Sequence, residues 1–191
     1  MNNHITDANA LAGLPLRQEA EKIVNIGSAH NINNTINFSS AKSLLSPNSF
    51  YNLIIKSGEK YEEPHCIMYR DRVLEFTTPQ LCRKLSNFTF EDIEEIINLP
   101  SLFLPEVEYE ITGEQKRGQI GFWGKIKEIH IWPDSSYDVS FEIEKEGEIE
   151  LDRIIEFSNE LGLKIDGYEH RRTHWAIKRA DLMSVIKKIK G

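Results

Sequence analysis

The chain has 191 residues, 40% of them hydrophobic and 28% charged, with a formal net charge of −7. That length can bury a sizeable core, and the balance is that of an ordinary folded domain, which excludes a disordered chain. No run reaches the roughly 18 apolar residues of a spanning helix, and two cysteines, Cys66 and Cys82, are too few for a disulfide framework.

Met1–Asp7 offers neither the basic nor the apolar stretch of a secretory leader. The expectation is a cytoplasmic protein with reduced thiols and no membrane partner. The abundance of Asn, Ile and Lys points to a bacterial or phage source.

A helix is predicted from Pro15, which suits a first helical position, through Leu16, Ala20, Ile23 and Val24 to Gly27. Asn31 to Asn37 reads as loop. A short helix carrying Leu44 and Leu45 is capped by Ser39 or Ser40 and stops before Pro47. Phe50–Ile55 is apolar and fits either a strand or a buried helix. Cys66–Tyr69 and Val73–Thr77 read as two strands about a tight turn at Arg70–Arg72. Pro79 opens a short helix to Leu85. Thr89 and Asp92 form a capping box for a helix carrying Ile93, Ile96 and Ile97, which Pro100 ends.

Pro100–Pro105 is read as the boundary between two units, 1–102 and 103–191. Val107, Tyr109 and Ile111 alternate with Glu106, Glu108 and Glu110, the pattern of a half-buried strand. Ile120 and Phe122 continue in a second strand. Gly121 and Gly124 interrupt it, and the shift of apolar parity to Ile129 and Ile131 predicts a bulge or bend. A turn at Pro133–Ser136 leads to a third strand with Val139, Phe141 and Ile143. A helix from Ile149 to Leu161 stops at Gly162, a strand covers Thr173–Lys178, and Asp181 caps a last helix. The fold class expected is α+β: an N-terminal unit of helices and short strands, then β-β-β-α-β-α. Its bent antiparallel meander resembles the start of a small SH3-like barrel and fits a half-open α+β sheet equally well.

Charge is unevenly spread. Residues 90–167 carry twenty acidic and seven basic side chains, whereas residues 168–191 carry two and seven. The glutamate comb Glu142, Glu144, Glu146, Glu148 and Glu150 reads as a solvated face, because acid–base catalysis needs carboxylates held in a cleft with their proton affinities pushed apart. His170 and His174 lie four apart, but Arg171 and Arg172 between them would repel a divalent metal, and the flanking pattern is that of a strand. Adjacent strand residues face opposite ways, so His65 is badly placed to activate Cys66. Gly118, Gly121 and Gly124 lack the strand–loop–helix setting of a nucleotide fingerprint. No catalytic, cofactor-binding or metal-binding residue is assigned, and no cofactor is expected.

Two contact surfaces remain. Phe122, Trp123, Trp132, Tyr137, Glu142 and Glu144 form a candidate protein-contact set, aromatic and acidic. Arg171, Arg172, Trp175, Lys178 and Arg179 form a candidate nucleic-acid contact set, cations interleaved with an aromatic. The leading expectation is a non-enzymatic binding protein of the immunity, antitoxin, adaptor or inhibitor type, drawn to a protein partner with a basic surface. The alternatives are nucleic-acid binding by the basic C-terminal segment, and a small hydrolase or nuclease with a site built from scattered residues. The basic segment can also pair with the acidic stretch of the same molecule or of a second copy, which allows a homo-oligomer.

Overall fold

The structure, a computed structural model, describes residues 45–58, 61–132 and 137–191. All of them belong to one unit, Ser40–Gly191. The helix expected from Pro15, the Asn-rich loop and the turn at 133–136 lie outside the described residues.

Six strands form one curled, mixed sheet, so the α+β class holds. They are β1 (Tyr51–Lys56), β2 (His65–Tyr69), β3 (Pro100–Pro105), β4 (Ile120–Ile131), β5 (Tyr137–Glu150) and β6 (His174–Lys178). Their order across the sheet is β2-β5-β4-β3-β1-β6. Only β1 and β3 pair in parallel; the other neighbours are antiparallel. Just after β2, Val73 makes a parallel bridge to Trp175 of β6. The two ends of the strand order thus approach each other, and the sheet curls round an interior.

Two apolar layers follow from the two-residue strand period. Inside the curl lie Ile54, Met68, Phe103, Ile126, Ile129, Phe141, Ile143 and Trp175. This layer is closed by α1 (Pro79–Lys84) and α2 (Phe90–Ile97), through Leu81, Ile93 and Ile96. Outside lie Tyr51, Leu53, Ile55, Leu102, Leu104 and Ile149. These pack against α3 (Leu151–Glu156), α4 (Ser158–Leu161) and α5 (Leu182–Lys190). The Thr89–Asp92 capping box forms as expected, and Asp181 caps α5 by accepting from the Ser184 amide at 3.0 Å.

Several expectations are corrected. Pro100–Pro105 is an interior strand between β1 and β4, and the sheet contains strands from both sides of the 102/103 division. Its prolines sit at the first and last positions, where a missing N–H costs least, and Leu102, Phe103 and Leu104 between them are buried. Val107–Ile111 is not a strand. Instead the chain folds back as a short hairpin, with Lys116 N–H donating to Glu108 O at 2.8 Å and Glu110 N–H to Glu114 O at 2.8 Å. Val73–Thr77 is a turn, with Leu74 and Phe76 at φ of 58° and 62°, so only Val73 joins the ladder. The helix expected from Ile149 begins at Leu151 and breaks at Phe157, because Ile149 still belongs to β5. The glycine-associated irregularity in β4 is present: register shifts occur at Trp123/Gly124 and at Ile126/Glu128. A methyl group on Gly124 would stand 1.9 Å from Glu144 O, so this close strand approach requires glycine.

Candidate protein-contact surface

Helices α3–α5 cover the outer layer only around β1, β3, β6 and one end of the β4–β5 ribbon. Over the rest of β2, β5 and β4 no described helix covers the outward positions. Cross-strand registers set His65 opposite Glu142, which faces Glu128, and set Ile67 opposite Ser140, which faces His130. Ile67 is 55% exposed, and Trp132, directly after β4, is 58% exposed. The inward residues of the same strands, Cys66, Met68, Phe141, Ile143 and Ile129, fill the interior. The alternation that builds the core therefore also determines which side chains stand on this face.

Of the sequence-derived contact set, Glu142, Glu144 and Trp132 belong to this region. Tyr137 is the first residue of β5, in register with Tyr69. Phe122 and Trp123 lie elsewhere, half-buried. Phe122 packs against the interior with the Lys145 ammonium 4.6 Å over its ring. Trp123 packs in the outer layer under Lys190, 5.1 Å from the ring centroid, and its indole N–H has no hydrogen-bond partner among the described residues.

The glutamate comb is partly neutralised from β4, not from the C-terminal segment. Lys127 bonds Glu142 at 3.1 Å, and Lys125 pairs with Glu146 at 3.1 Å. The bond to Glu142 raises the Lys127 proton affinity above the usual lysine value. Glu144, Glu148 and Glu150 make no ion pair with a described residue. Three cations of the C-terminal segment pair elsewhere: Arg172 with Glu75 at 2.6 Å, Lys188 with Glu160, and Lys178 with Glu169.

The candidate nucleic-acid set is dispersed by the fold. Trp175 is fully buried in the interior, edge-on to Phe141 with centroids 5.0 Å apart, so its ring cannot stack on a base. Lys178 is buried as well. Arg171 lies over the Tyr109 ring at 4.3 Å, and Arg179 is exposed.

Sequence reasoning missed the cage around Glu169. This carboxylate is fully buried and accepts from Lys178 Nζ at 2.7 and 3.0 Å and from the Lys164 amide at 2.8 Å. His174 Nε2 stands 3.3 Å from it, with Nδ1 against Arg172 O at 2.6 Å. Burial alone would raise the Glu169 proton affinity, but the bonds to His174, Lys178 and Lys164 outweigh it and leave the carboxyl below its usual range. Burial lowers the proton affinity of Lys178, and Glu169 opposes that shift. His170 is not part of this cage, so the two histidines do not converge. All five residues of β6 are buried, the pattern of a strand covered on both faces, but its sequence HWAIK is polar at both ends and does not mark Lys178 as enclosed.

The thiols are separated too. Cys66 faces the interior while His65 faces out, as strand geometry requires. Cys82 is half-buried, its sulfur 3.5 Å from Leu74 O, and burial pushes its thiol up. That shift is opposite to what a nucleophilic cysteine needs.

Comparison with known proteins finds no relative: no family description, no curated protein and no solved structure matches the chain.

Proposed function

We propose that this protein is a non-enzymatic binding module of the immunity, antitoxin, adaptor or inhibitor type, docking onto a basic protein through the outward face of β2–β5–β4. The observation that carries this reading is one face joining exposed apolar side chains, Ile67 and Trp132, to the glutamates of β5, without a described helix above it. Apolar anchors ringed by charge are the composition of a contact surface, and the charge steers approach of an oppositely charged partner. Among the described residues the largest buried ionisable cluster, Glu169 with His174 and Lys178, is sealed from solvent and offers a substrate no access.

The test is affinity capture on the immobilised chain at low and high salt, repeated with Trp132→Ala, Ile67→Ser and Glu144→Lys. A basic protein should be retained at low salt, released at high salt, and retained more weakly by each variant. Retention unchanged by all three substitutions, or no retained protein at low salt, would sink the proposal. Sedimentation of the chain alone reads the remaining outcome, self-association through the same face.

A further inference from the structure

The hairpin at Glu108–Lys116 stands between two open clefts of about 570 Å³ each. One is lined by Glu62, Lys145 and Glu148, the other by Asp152 and Glu156. Ile111, on the hairpin between Glu110 and Gly113, is completely exposed. The base of the hairpin rests on the short 3-10 turn Glu169–Arg171. Val107 N–H donates to His170 O at 2.9 Å, Tyr109 Oη meets His170 Nε2 at 3.3 Å, and the Arg171 guanidinium covers the Tyr109 ring. Tyr168, entering the turn, has φ 58°, a conformation that costs a non-glycine residue free energy and that the surrounding contacts must hold.

We infer that His170 is an acid-sensitive latch: neutral, it holds the hairpin base against the 168–172 turn, and protonated, it releases the hairpin. His170 is 94% buried, and its Nδ1 has no hydrogen-bond partner among the described residues. A neutral ring can leave a bare nitrogen there. A protonated ring would bury a charged N–H with nothing to accept it, a far costlier state. The groups around it do not compensate. Tyr109 Oη serves only Nε2, Arg171 repels the proton, and the attracting Glu169 carboxylate is already engaged by Lys178, Lys164 and His174. Burial first, then Arg171, hold the ring below the ordinary imidazole value, against the pull of Glu169.

A base with lowered proton affinity in the closed form is neutral there while the opened form takes up a proton. Closure is therefore complete above the ordinary imidazole value of about 6.5 and weakens as pH falls below it.

Hydrogen exchange on the full chain tests this. Amides of Val107, Glu110, Gly113 and Lys116, all bonded within 2.9 Å, are compared at pH 7.5 and 5.5 with amides of the β4–β5 ladder, which cancels the intrinsic pH dependence. The protection ratio of hairpin to ladder should fall several-fold at pH 5.5 in the natural chain and stay constant in His170→Gln, whose side chain cannot gain charge. NMR titration of the His170 ring in the natural chain needs no substitution and should give a midpoint below that of a free imidazole. A ratio independent of pH, an equal fall in His170→Gln, or a midpoint at or above the free value would overturn the latch.

Discussion

The indole N–H of Trp175 donates to Asn52 Oδ1 at 3.2 Å across 123 residues of sequence. The same amide gives its N–H groups to Ile96 O at 2.9 Å and to Ser101 Oγ at 3.3 Å. One fully buried asparagine of β1 thereby fixes the end of α2, the start of β3 and the ring near the start of β6. Replacing it with Leu leaves the Trp175 indole N–H and the Ser101 hydroxyl without this partner and takes one donor from Ile96 O, which keeps the Leu99 amide at 3.1 Å. Asn52→Leu should cost at least about 1–3 kcal/mol, and Trp175→Ala about 3–5 kcal/mol through lost packing. Urea unfolding midpoints check both; a loss for Asn52→Leu within experimental error would remove the asparagine from this role.

Lys178 is tolerable inside the protein only because Glu169 accompanies it. Glu169→Gln strands a buried ammonium group, and losses of about 3–5 kcal/mol are usual when one partner of such a pair is removed. Glu169→Leu combined with Lys178→Met should recover most of that loss. A double-substitution cycle measured by denaturant unfolding reads the coupling, and near-additive losses would contradict the cage.

The same carboxylate sets an acid limit. Its folded proton affinity is lowered, so its contribution is complete above the unfolded carboxyl value of about 4.3 and disappears as pH falls through its folded value. Stability followed between pH 6 and 2 should drop less steeply in the double variant than in the natural chain.

Gly124→Ala should be among the most damaging single-methyl additions, because its Cβ would overlap Glu144 O and the other near atoms, Glu144 C and Glu146 N, are also backbone. The expected cost is at least about 1–3 kcal/mol, the usual penalty for overpacking. Gly58→Ala meets nothing within 4 Å and pays only for its φ of 61°. Comparing the thermal midpoints of the two variants separates collision from backbone strain.

Mixed-sequence oligonucleotides at about 50 mM salt should not shift this protein in a gel, since the aromatic and one of the cations proposed for them are buried. A salt-dependent shift abolished by Arg171→Ala with Arg179→Ala would restore nucleic-acid binding as a function.

What the sequence discloses here depends on how local the cause is. The Thr89 cap, the Asp181 cap and the bend at Gly124 arise from residues within a few positions of one another, and each appears where its pattern falls. The inward Val139, Phe141 and Ile143 of β5 follow from alternation, which breaks only where Glu144, Lys145 and Glu146 are all exposed beside the register shift. β3 was concealed by Pro100 and Pro105, whose usual meaning is interruption; only pairing with β1 and β4 shows that both occupy strand ends. The acidic alternation at 106–111 satisfied a strand template, yet the turn at Gly113, with φ 85°, folds that segment back on itself. The basic look of 168–179 misleads for another reason: composition counts charges but does not say which of them are enclosed. Glu169 meets Lys178 only because a turn and an adjoining strand are pressed together by the rest of the protein.

The bridge from Val73 to Trp175 has a consequence for synthesis. β1 lies between β3 and β6, yet of the six strands of this sheet β1 is translated first and β6 last. Until residue 178 has left the ribosome, a nascent chain displays β1 with one hydrogen-bonding edge unfilled and an interior lacking its largest ring. Such long-range closure is slow, and in the interval an uncapped apolar strand invites other chains to pair with it. Premature termination before β6 should therefore yield aggregates and chaperone clients in place of a smaller native protein.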